Sequence, residues 1–352
     1  MPLLPLYGHD ALRARLAEQA DRGALPASLL FQGPPGVGKQ RLALWLGGRL
    51  LCESAERPCG TCQHCKYVAE LQHPDLRWVF PRPKLKGADQ TLEEVQEEYE
   101  GAVRDRVEAR GLYARPDGSA GIYPYVTRFL VHVASRSPAM ARRKVLVIGD
   151  AERMVPQASS PEAANALLKL LEEPPADTTL ILTSSEPGSL LPTIRSRVVA
   201  FRVAPVAEVP MRSFLADEAA SGVLPNEPAD VLLRLAGGAP GMLIGTDDRA
   251  AAIARARQLL AAADAGTEHA LRAAFTSGSA KARGKFTDVL DALSVLLHER
   301  ARDAAGRGDE VGAVRAVRAI PEVEEAKRAA EGNVNPQLVT ARLLGALAGS
   351  AS

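Results

Sequence analysis

The sequence has no long hydrophobic run, almost no net charge and few aromatic residues. No stretch reaches the ~18 apolar residues of a membrane span, and the N-terminal residues show no apolar segment behind a basic start. We therefore expect a soluble, cytoplasmic protein with no membrane partner. A net charge of +1 and an aromatic content of 4% argue against a stand-alone nucleic-acid binder, because such proteins need a basic groove and stacking side chains.

Cysteine is scarce too, and its four residues are confined to positions 52–65 in the pattern C-x6-C-x2-C-x2-C. This clustering argues against scattered disulfides. Four thiolates at short spacings suit a closed tetrahedral Zn²⁺ site with a structural role. The predicted ligands are Cys52, Cys59, Cys62 and Cys65. A labile iron–sulfur cluster and uncoordinated thiols are the alternatives, and His64 is expected to be a solvated neighbour.

A glycine-rich loop is the strongest motif present. GPPGVGK lies between an apolar run at 28–31 and a helical pattern, and it fits the phosphate-binding template G-x-x-x-x-G-K-[ST], in which backbone N–H groups and the lysine hold phosphate. The template requires a hydroxyl for Mg²⁺ after the lysine, but Gln40 stands there. The predicted ATP- or ADP-binding residues of this degenerate loop are Gly33, Pro34, Pro35, Gly36, Val37, Gly38, Lys39 and Gln40.

The order of the remaining patterns predicts an α/β fold followed by helices. Buried-strand patterns at 144–148, 178–183 and 198–203 alternate with helical patterns, which indicates a doubly wound parallel sheet. Residues from about 81 to 121 lose this periodicity and are predicted to be a solvated helix and loops inserted at the surface. Beyond residue 205 only helical patterns remain. The stripe of Val339, Leu343 and Leu347 fits either an internal core or a collar between subunits.

These motifs stand in an order that resembles the AAA+ subunits of the bacterial DNA polymerase III clamp loader. The matching stretches are GALPASLLFQGPPGVGK, the cysteine cluster, HPD, ANALLKLLEEPP, LPTIRSR and NVNP. The resemblance spans nearly the whole chain, except for the insertion. It implies an AAA+ P-loop-type domain over 1–205 with a zinc module at 52–65, a small helical lid domain over 206–248, and a helical collar domain over 249–352.

The resemblance also implies a silent catalytic site. In hydrolysing relatives the strand equivalent to 144–148 ends in Asp-Glu, whereas this chain has Gly149 and Asp150. The polar sensor corresponds to Ser184 or Ser185, so Asp150 and Ser184 join the predicted cofactor-binding residues. The sensor arginine expected near AGGAPG is missing. Phosphoryl transfer needs Mg²⁺ and neutralising cations, so we expect the site to bind nucleotide passively or not at all.

The segment LPTIRSR resembles the motif that supplies an arginine finger to a neighbouring subunit. Arg197 holds the finger position, Arg195 is a weaker candidate, and a surface ion pair is the alternative. The resemblance therefore implies a non-hydrolysing, delta-prime-like subunit of the polymerase III holoenzyme. Its expected partners are the tau/gamma ATPases and the delta clamp opener, with the sliding clamp and primed DNA reached mainly through the complex. An ATP-hydrolysing tau/gamma-type motor is the alternative.

Overall fold

The computed structural model describes residues 3–87, 90–113, 120–154, 161–225, 227–244, 246–275, 283–331 and 335–349. It divides into two compact units, Met1–Ile244 and Gly245–Ser352. Among the described residues, no helix combines the length and apolar character that a membrane span requires. The predicted division into domains 1–205, 206–248 and 249–352 stays a prediction.

A parallel sheet forms the centre of the first unit, as predicted. In the described residues its five strands are β1 (Ser28–Gln32), β2 (Leu76–Val79), β3 (Lys144–Ile148), β4 (Thr178–Ser184) and β5 (Val199–Arg202). They are arranged in the order β2-β3-β4-β1-β5, and every neighbouring pair is parallel. All residues of β3 and β4 are buried, as expected of central strands in a parallel sheet that is covered on both faces.

Helices surround this sheet and continue beyond it within the first unit. They are α1 (Asp10–Asp21), α2 (Lys39–Leu51), α3 (Gln63–Ala69), α4 (Leu92–Glu108), α5 (Pro124–Ser135), α6 (Pro161–Glu172), α7 (Pro192–Arg195), α8 (Glu208–Leu215), α9 (Glu218–Ser221) and α10 (Ala229–Ala236), with short 3-10 helices at Ala151–Arg153 and Pro240–Leu243. Proline opens α5 and α7, where its missing N–H is not needed. The capping box of α4 pairs Thr91 with Glu94.

A second apolar core lies under α8 and α10. Its buried members are Leu4, Val206, Met211, Phe214, Ala220, Leu232, Ala236 and Leu243. Leu4 comes from the N-terminal segment, so the chain before α1 packs against helices more than 200 residues later in the sequence. This core fixes the 3-10 helix Pro240–Leu243, which contacts the glycine-rich loop.

The second unit is helical. It contains α11 (Thr246–Asp264), α12 (Thr267–Phe275), α13 (Arg283–Gly306), α14 (Glu310–Glu331) and α15 (Pro336–Gly349). One apolar core joins these helices, and Val339, Leu343 and Leu347 belong to it. Of the two interpretations of that stripe, the structure supports the internal core. Asn333 of the NVNP motif lies outside the described residues.

Candidate functional site

The glycine-rich loop connects the carboxyl end of β1 to α2, as the sequence predicts. Gly36 and Gly38 have positive φ angles of 75° and 96°, and Gly38 is the N-cap of α2. The 3-10 helix Pro240–Leu243 lies directly on Gly36, because a Cβ built there would be 2.9 Å from the Cγ of Met242. Glycine is therefore required at this position for both conformation and space.

Two hydrogen bonds to carbonyl groups of the loop fix it from outside. The Gly241 N–H donates to the Gly36 carbonyl at 2.9 Å, and His9 Nε2 lies 2.8 Å from the Val37 carbonyl oxygen. Burial lowers the pKa of His9, so the ring is neutral at pH 7 and its Nε2–H donates to that oxygen. The loop is thus held between the N-terminal segment and the helical part of the first unit.

The ammonium group of Lys39 is buried and points at its own loop. Its Nζ donates to the carbonyls of Gly33 and Pro34 at 2.9 and 2.8 Å and to the Ser185 hydroxyl at 2.9 Å. Of the two serines offered as polar sensor, Ser185 therefore contacts the lysine. The Ser184 hydroxyl accepts from the Glu186 N–H at 3.1 Å, and the role given to Ser184 stays a prediction.

Gln40 fills the space over Gly149. A Cβ built on Gly149 would lie 2.4 Å from Gln40 Oε1, closer than real Cβ atoms come to such an oxygen. Gln40 Nε2 donates to Asp150 Oδ2 at 3.0 Å, and its Oε1 accepts from Trp78 Nε1 at 3.0 Å. The two departures that the sequence shows separately, at Gln40 and Gly149, are therefore one packed feature.

Arg106 is the residue of this site that sequence reasoning missed. Its Nη1 donates to Gln40 Oε1 at 3.4 Å, and its Cζ lies 3.2, 3.7 and 4.4 Å from the ring centroids of Phe80, Tyr113 and Trp78. Burial lowers the pKa of Arg106 to about 10, which still leaves the guanidinium charged at neutral pH.

The insertion that carries Arg106 was predicted to be a solvated helix, and for α4 this is wrong. Val95, Tyr99, Ala102 and Arg106 are buried along one face. Their spacing of four, three and four residues is the helical signal that could have revealed this face. The glutamates between them concealed it, because they occupy the exposed sides of the same helix.

A second carboxylate lies beside Asp150. Glu152 accepts from the Ser185 N–H at 2.9 Å, and burial raises the pKa of Glu152. Asp150 itself adopts a left-handed conformation with a φ of 48°, and its N–H donates to Thr183 Oγ1 at 3.0 Å. This turn directs the Asp150 carboxylate to Gln40.

Arg197 lies at the opposite end of the sheet from the phosphate loop, before the amino end of β5. Val199 is aligned with Leu29 in the parallel pair of β1 and β5, so Arg197 precedes its strand whereas the phosphate loop follows β1. The five residues of β1 lie between these two ends of the sheet, a span of roughly 17 Å along the strand. Its Nε donates to Glu172 Oε2 at 3.0 Å and its Nη1 to the Thr193 carbonyl at 3.0 Å.

The four cysteines converge at the end of α2 and the start of α3. Their Sγ atoms all lie within 4.8 Å of one another, and the pairs Cys52–Cys62 and Cys59–Cys65 are 3.8 and 3.9 Å apart. Tetrahedral Zn²⁺ with Zn–S bonds of about 2.3 Å requires S···S distances of about 3.8 Å. The cluster therefore fits a tetrahedral metal ion.

Hydrogen bonds to one thiolate favour this role. The Ser54 hydroxyl, the Cys62 N–H and the Thr61 hydroxyl donate to Cys59 Sγ and lower the pKa of Cys59 to about 5. The thiolate, which is the form that binds metal, is therefore favoured at Cys59, whereas burial raises the pKa of Cys65 to about 12.

His64 is not the solvated neighbour that the sequence suggested. Its Nδ1 lies 2.9 Å from Nε2 of the fully buried His73, and the two rings stack. His73 Nδ1 accepts from the Asp75 N–H, so His73 Nε2 carries the proton and donates to His64. Burial lowers the pKa of His73 to about 4. This pair connects the cysteine cluster to the start of β2.

Comparisons with known proteins find similarity to subunits of DNA polymerase III. The chain is 34% identical over 218 residues to the DNA polymerase III subunit delta' of Pseudomonas aeruginosa, which covers 60% of this chain and 52% of that protein. It is 29% identical over 334 residues to the gamma/tau subunit of Mycobacterium tuberculosis, covering 86% of this chain and 50% of that protein. The chain thus spans about half the length of the curated relatives it matches.

A solved structure and a family model complete the comparisons. The crystal structure of a DNA polymerase III gamma subunit-related protein from Thermotoga maritima aligns with 97% of this chain and 99% of its own, at 16% identity and a TM-score of 0.41. The model of the family described as DNA polymerase III, delta subunit matches residues 8–207. Because that match covers more than half of the chain, this protein belongs to the DNA polymerase III delta subunit family.

Proposed function

We propose that this chain is a non-hydrolysing, delta-prime-type subunit of the replicative clamp loader. It completes the AAA+ ring and supplies Arg197 in trans to a neighbouring ATPase subunit, so that the sliding clamp is loaded onto primed DNA. Its partners in this role are the tau/gamma ATPases and the delta clamp opener. It reaches the clamp and the DNA mainly through the complex, which agrees with its net charge of +1.

The packing of Gln40 on Gly149 is the observation that carries the proposed silence of the site. Mg²⁺ requires a near-octahedral set of oxygen ligands. Here the Gln40 amide fills the space over Gly149, the position where hydrolysing relatives have a carboxylate. Its nitrogen donates to Asp150 Oδ2. The residues present do not fit Mg²⁺, so we derive no hydrolytic step at this loop. Nucleotide binding without turnover remains part of the proposal.

The position of Arg197 supports a role in trans. The five residues of β1 separate it from its own phosphate loop, roughly 17 Å along the strand direction, too far to reach phosphates bound there. Its ion pair with Glu172 leaves the arginine 29% and the glutamate 56% exposed. Such an exposed pair is weak, so the guanidinium can exchange the carboxylate for a phosphate of the neighbour and bind it bidentately.

The four cysteines are proposed to hold a structural Zn²⁺. With four protein ligands the ion would have no open position for water, so it would stabilise the α2–α3 connection and take no part in chemistry. The S···S distances given above support this proposal.

The test is ATP turnover by the reconstituted loader in the presence of clamp and primed DNA. Arg197→Ala in this subunit should lower turnover by about the share of the one site that the finger serves, because in related phosphoryl transfers a finger is worth on the order of 10³–10⁵ in rate and the other sites of the ring keep theirs. Arg195→Ala, two residues earlier and exposed, is the matched control and should change it little. Equal effects of the two substitutions would contradict the assignment of Arg197.

A tau/gamma-type motor is the second candidate, favoured by the longer match to the gamma/tau subunit. Lys39→Met in this subunit distinguishes the two, because it removes the charge that a working phosphate loop needs. A large loss of loader turnover with Lys39→Met would establish a working site here. Unchanged turnover would support the non-hydrolysing role.

A further inference from the structure

We infer that Arg106, carried by the inserted helix α4, takes the place of the divalent cation in this site and excludes Mg²⁺ even where the two lost metal ligands are restored. The inference deepens the proposed silence of the site and rests on it. It also gives the insertion a function that the sequence did not specify.

The first argument is that the amide oxygen of Gln40 has no free lone pair for a metal. A carbonyl oxygen accepts two hydrogen bonds, and Gln40 Oε1 accepts one from Trp78 Nε1 and one from Arg106 Nη1. The amide nitrogen donates to Asp150 Oδ2. The side chain that follows the loop lysine is thus committed to protein partners at both of its polar atoms.

The second argument is charge. Arg106 places a permanent positive charge beside Gln40, the residue that follows the loop lysine. In the phosphate-loop template this position supplies a ligand of the metal. Mg²⁺ beside this guanidinium would meet a like charge in a poorly hydrated environment, where repulsion is strong. The carboxylate of Asp150 is joined to Arg106 through Gln40 and interacts with its charge.

The third argument is that Arg106 is fixed. The faces of three rings surround its guanidinium, an arrangement that stabilises a cation. Its helix is anchored to the sheet by Tyr99, whose hydroxyl donates to the Phe80 carbonyl at 2.7 Å. The arginine is 7% exposed, so it cannot turn into solvent to make room for an ion.

The experiment measures ATP binding by the full chain, with and without Mg²⁺, by calorimetry. In Gln40→Thr/Gly149→Asp, which restores a hydroxyl and a carboxylate, we expect Mg²⁺ to change the ATP dissociation constant by less than about twofold. Adding Arg106→Met should make Mg²⁺ strengthen binding by at least about tenfold. The matched control adds Arg104→Met, at an exposed arginine on the same helix. This substitution should leave the effect of Mg²⁺ on ATP binding as it is in the double variant.

Several outcomes would overturn the inference. One is that Mg²⁺ strengthens ATP binding to the double variant, and another is that adding Arg104→Met produces the strengthening expected of Arg106→Met. A third is that a folded triple variant binds no ATP, or binds it equally with and without Mg²⁺. If the triple variant fails to fold, the deciding measurement is electron paramagnetic resonance of Mn²⁺ added with ATP to the double variant. Immobilised Mn²⁺ would contradict the exclusion, and free Mn²⁺ would support it. Since no partner subunit is present, this test can fail while the finger role of Arg197 stands.

Discussion

At the scale of single residues, the contact of Gln40 with Gly149 makes a sharp prediction. Gly149→Ala places a methyl group 2.4 Å from Gln40 Oε1 and should lower the free energy of unfolding by about 1–3 kcal/mol. Gln40→Ala in the same chain should remove most of that loss, because the two side chains compete for one space. Urea denaturation of the four chains of a double-mutant cycle measures the coupling.

A matched control exists for this cycle. Gly188 has no neighbouring atom within 4 Å of a built Cβ, so Gly188→Ala should change stability by no more than a few tenths of a kcal/mol. A coupling of zero between positions 40 and 149 would mean that the glutamine moves away freely.

His73 predicts how stability depends on pH. Its folded-state pKa of about 4 lies below the ordinary value of about 6.5, so the unfolded chain binds the proton more readily. This contribution to stability is complete above pH 6.5 and is lost as the pH falls from about 6.5 to about 4. His73→Gln should make the stability of the chain fall less steeply across that window.

The measurement is urea denaturation at several pH values, on chains saturated with zinc. The matched control is His269→Gln in α12, where the histidine is exposed and its replacement should leave the pH dependence unchanged. If stability fell with pH as steeply in His73→Gln as in the original chain, the buried His73 ring would not be the source of that pH dependence.

At the scale of elements, the connection between α2 and α3 should depend on its metal. We expect about one zinc per chain by elemental mass spectrometry. Cys59→Ser should abolish it and lower the melting temperature, because a structural zinc site contributes folding free energy directly. Glu56→Gln, exposed in the same connection, should retain full zinc. Iron in place of zinc, or no metal, would contradict the proposal.

The elements differ in how readily their sequences reveal them. The strand, loop and helix around GPPGVGK follow from local patterns, and so does the spacing of the cysteines, because a phosphate loop and a metal site each need particular residues close together in the chain. The burial of α4 was not predicted, since its core face has only four positions among many charges. The contact of His64 with His73 was missed because it requires the eight intervening residues to fold back and bring the two rings together, which no local pattern predicts.

At the scale of the whole molecule, each of the two units has its own core, and this predicts where a core substitution acts. Leu293 is fully buried in the core of the second unit, so Leu293→Ala should cost about 2–5 kcal/mol. Hydrogen exchange should accelerate in peptides from 246–349 and much less in those from 3–244. Leu338→Ala, at a leucine that is 63% exposed in the same unit, should change little. Equal acceleration throughout would indicate a single cooperative unit.

The sequence by itself determined the parallel sheet, the phosphate loop, the loss of its metal-binding hydroxyl and the cysteine cluster. These features depend on residue types at short spacings, and their physical requirements are local. Only the tertiary structure decided that Gln40 and Gly149 form one contact, that an arginine from the insertion joins them, and that Arg197 lies at the opposite end of the sheet from its own loop. Each of these depends on segments separated by tens to more than a hundred residues, whose meeting is set by strand order and packing rather than by any local pattern.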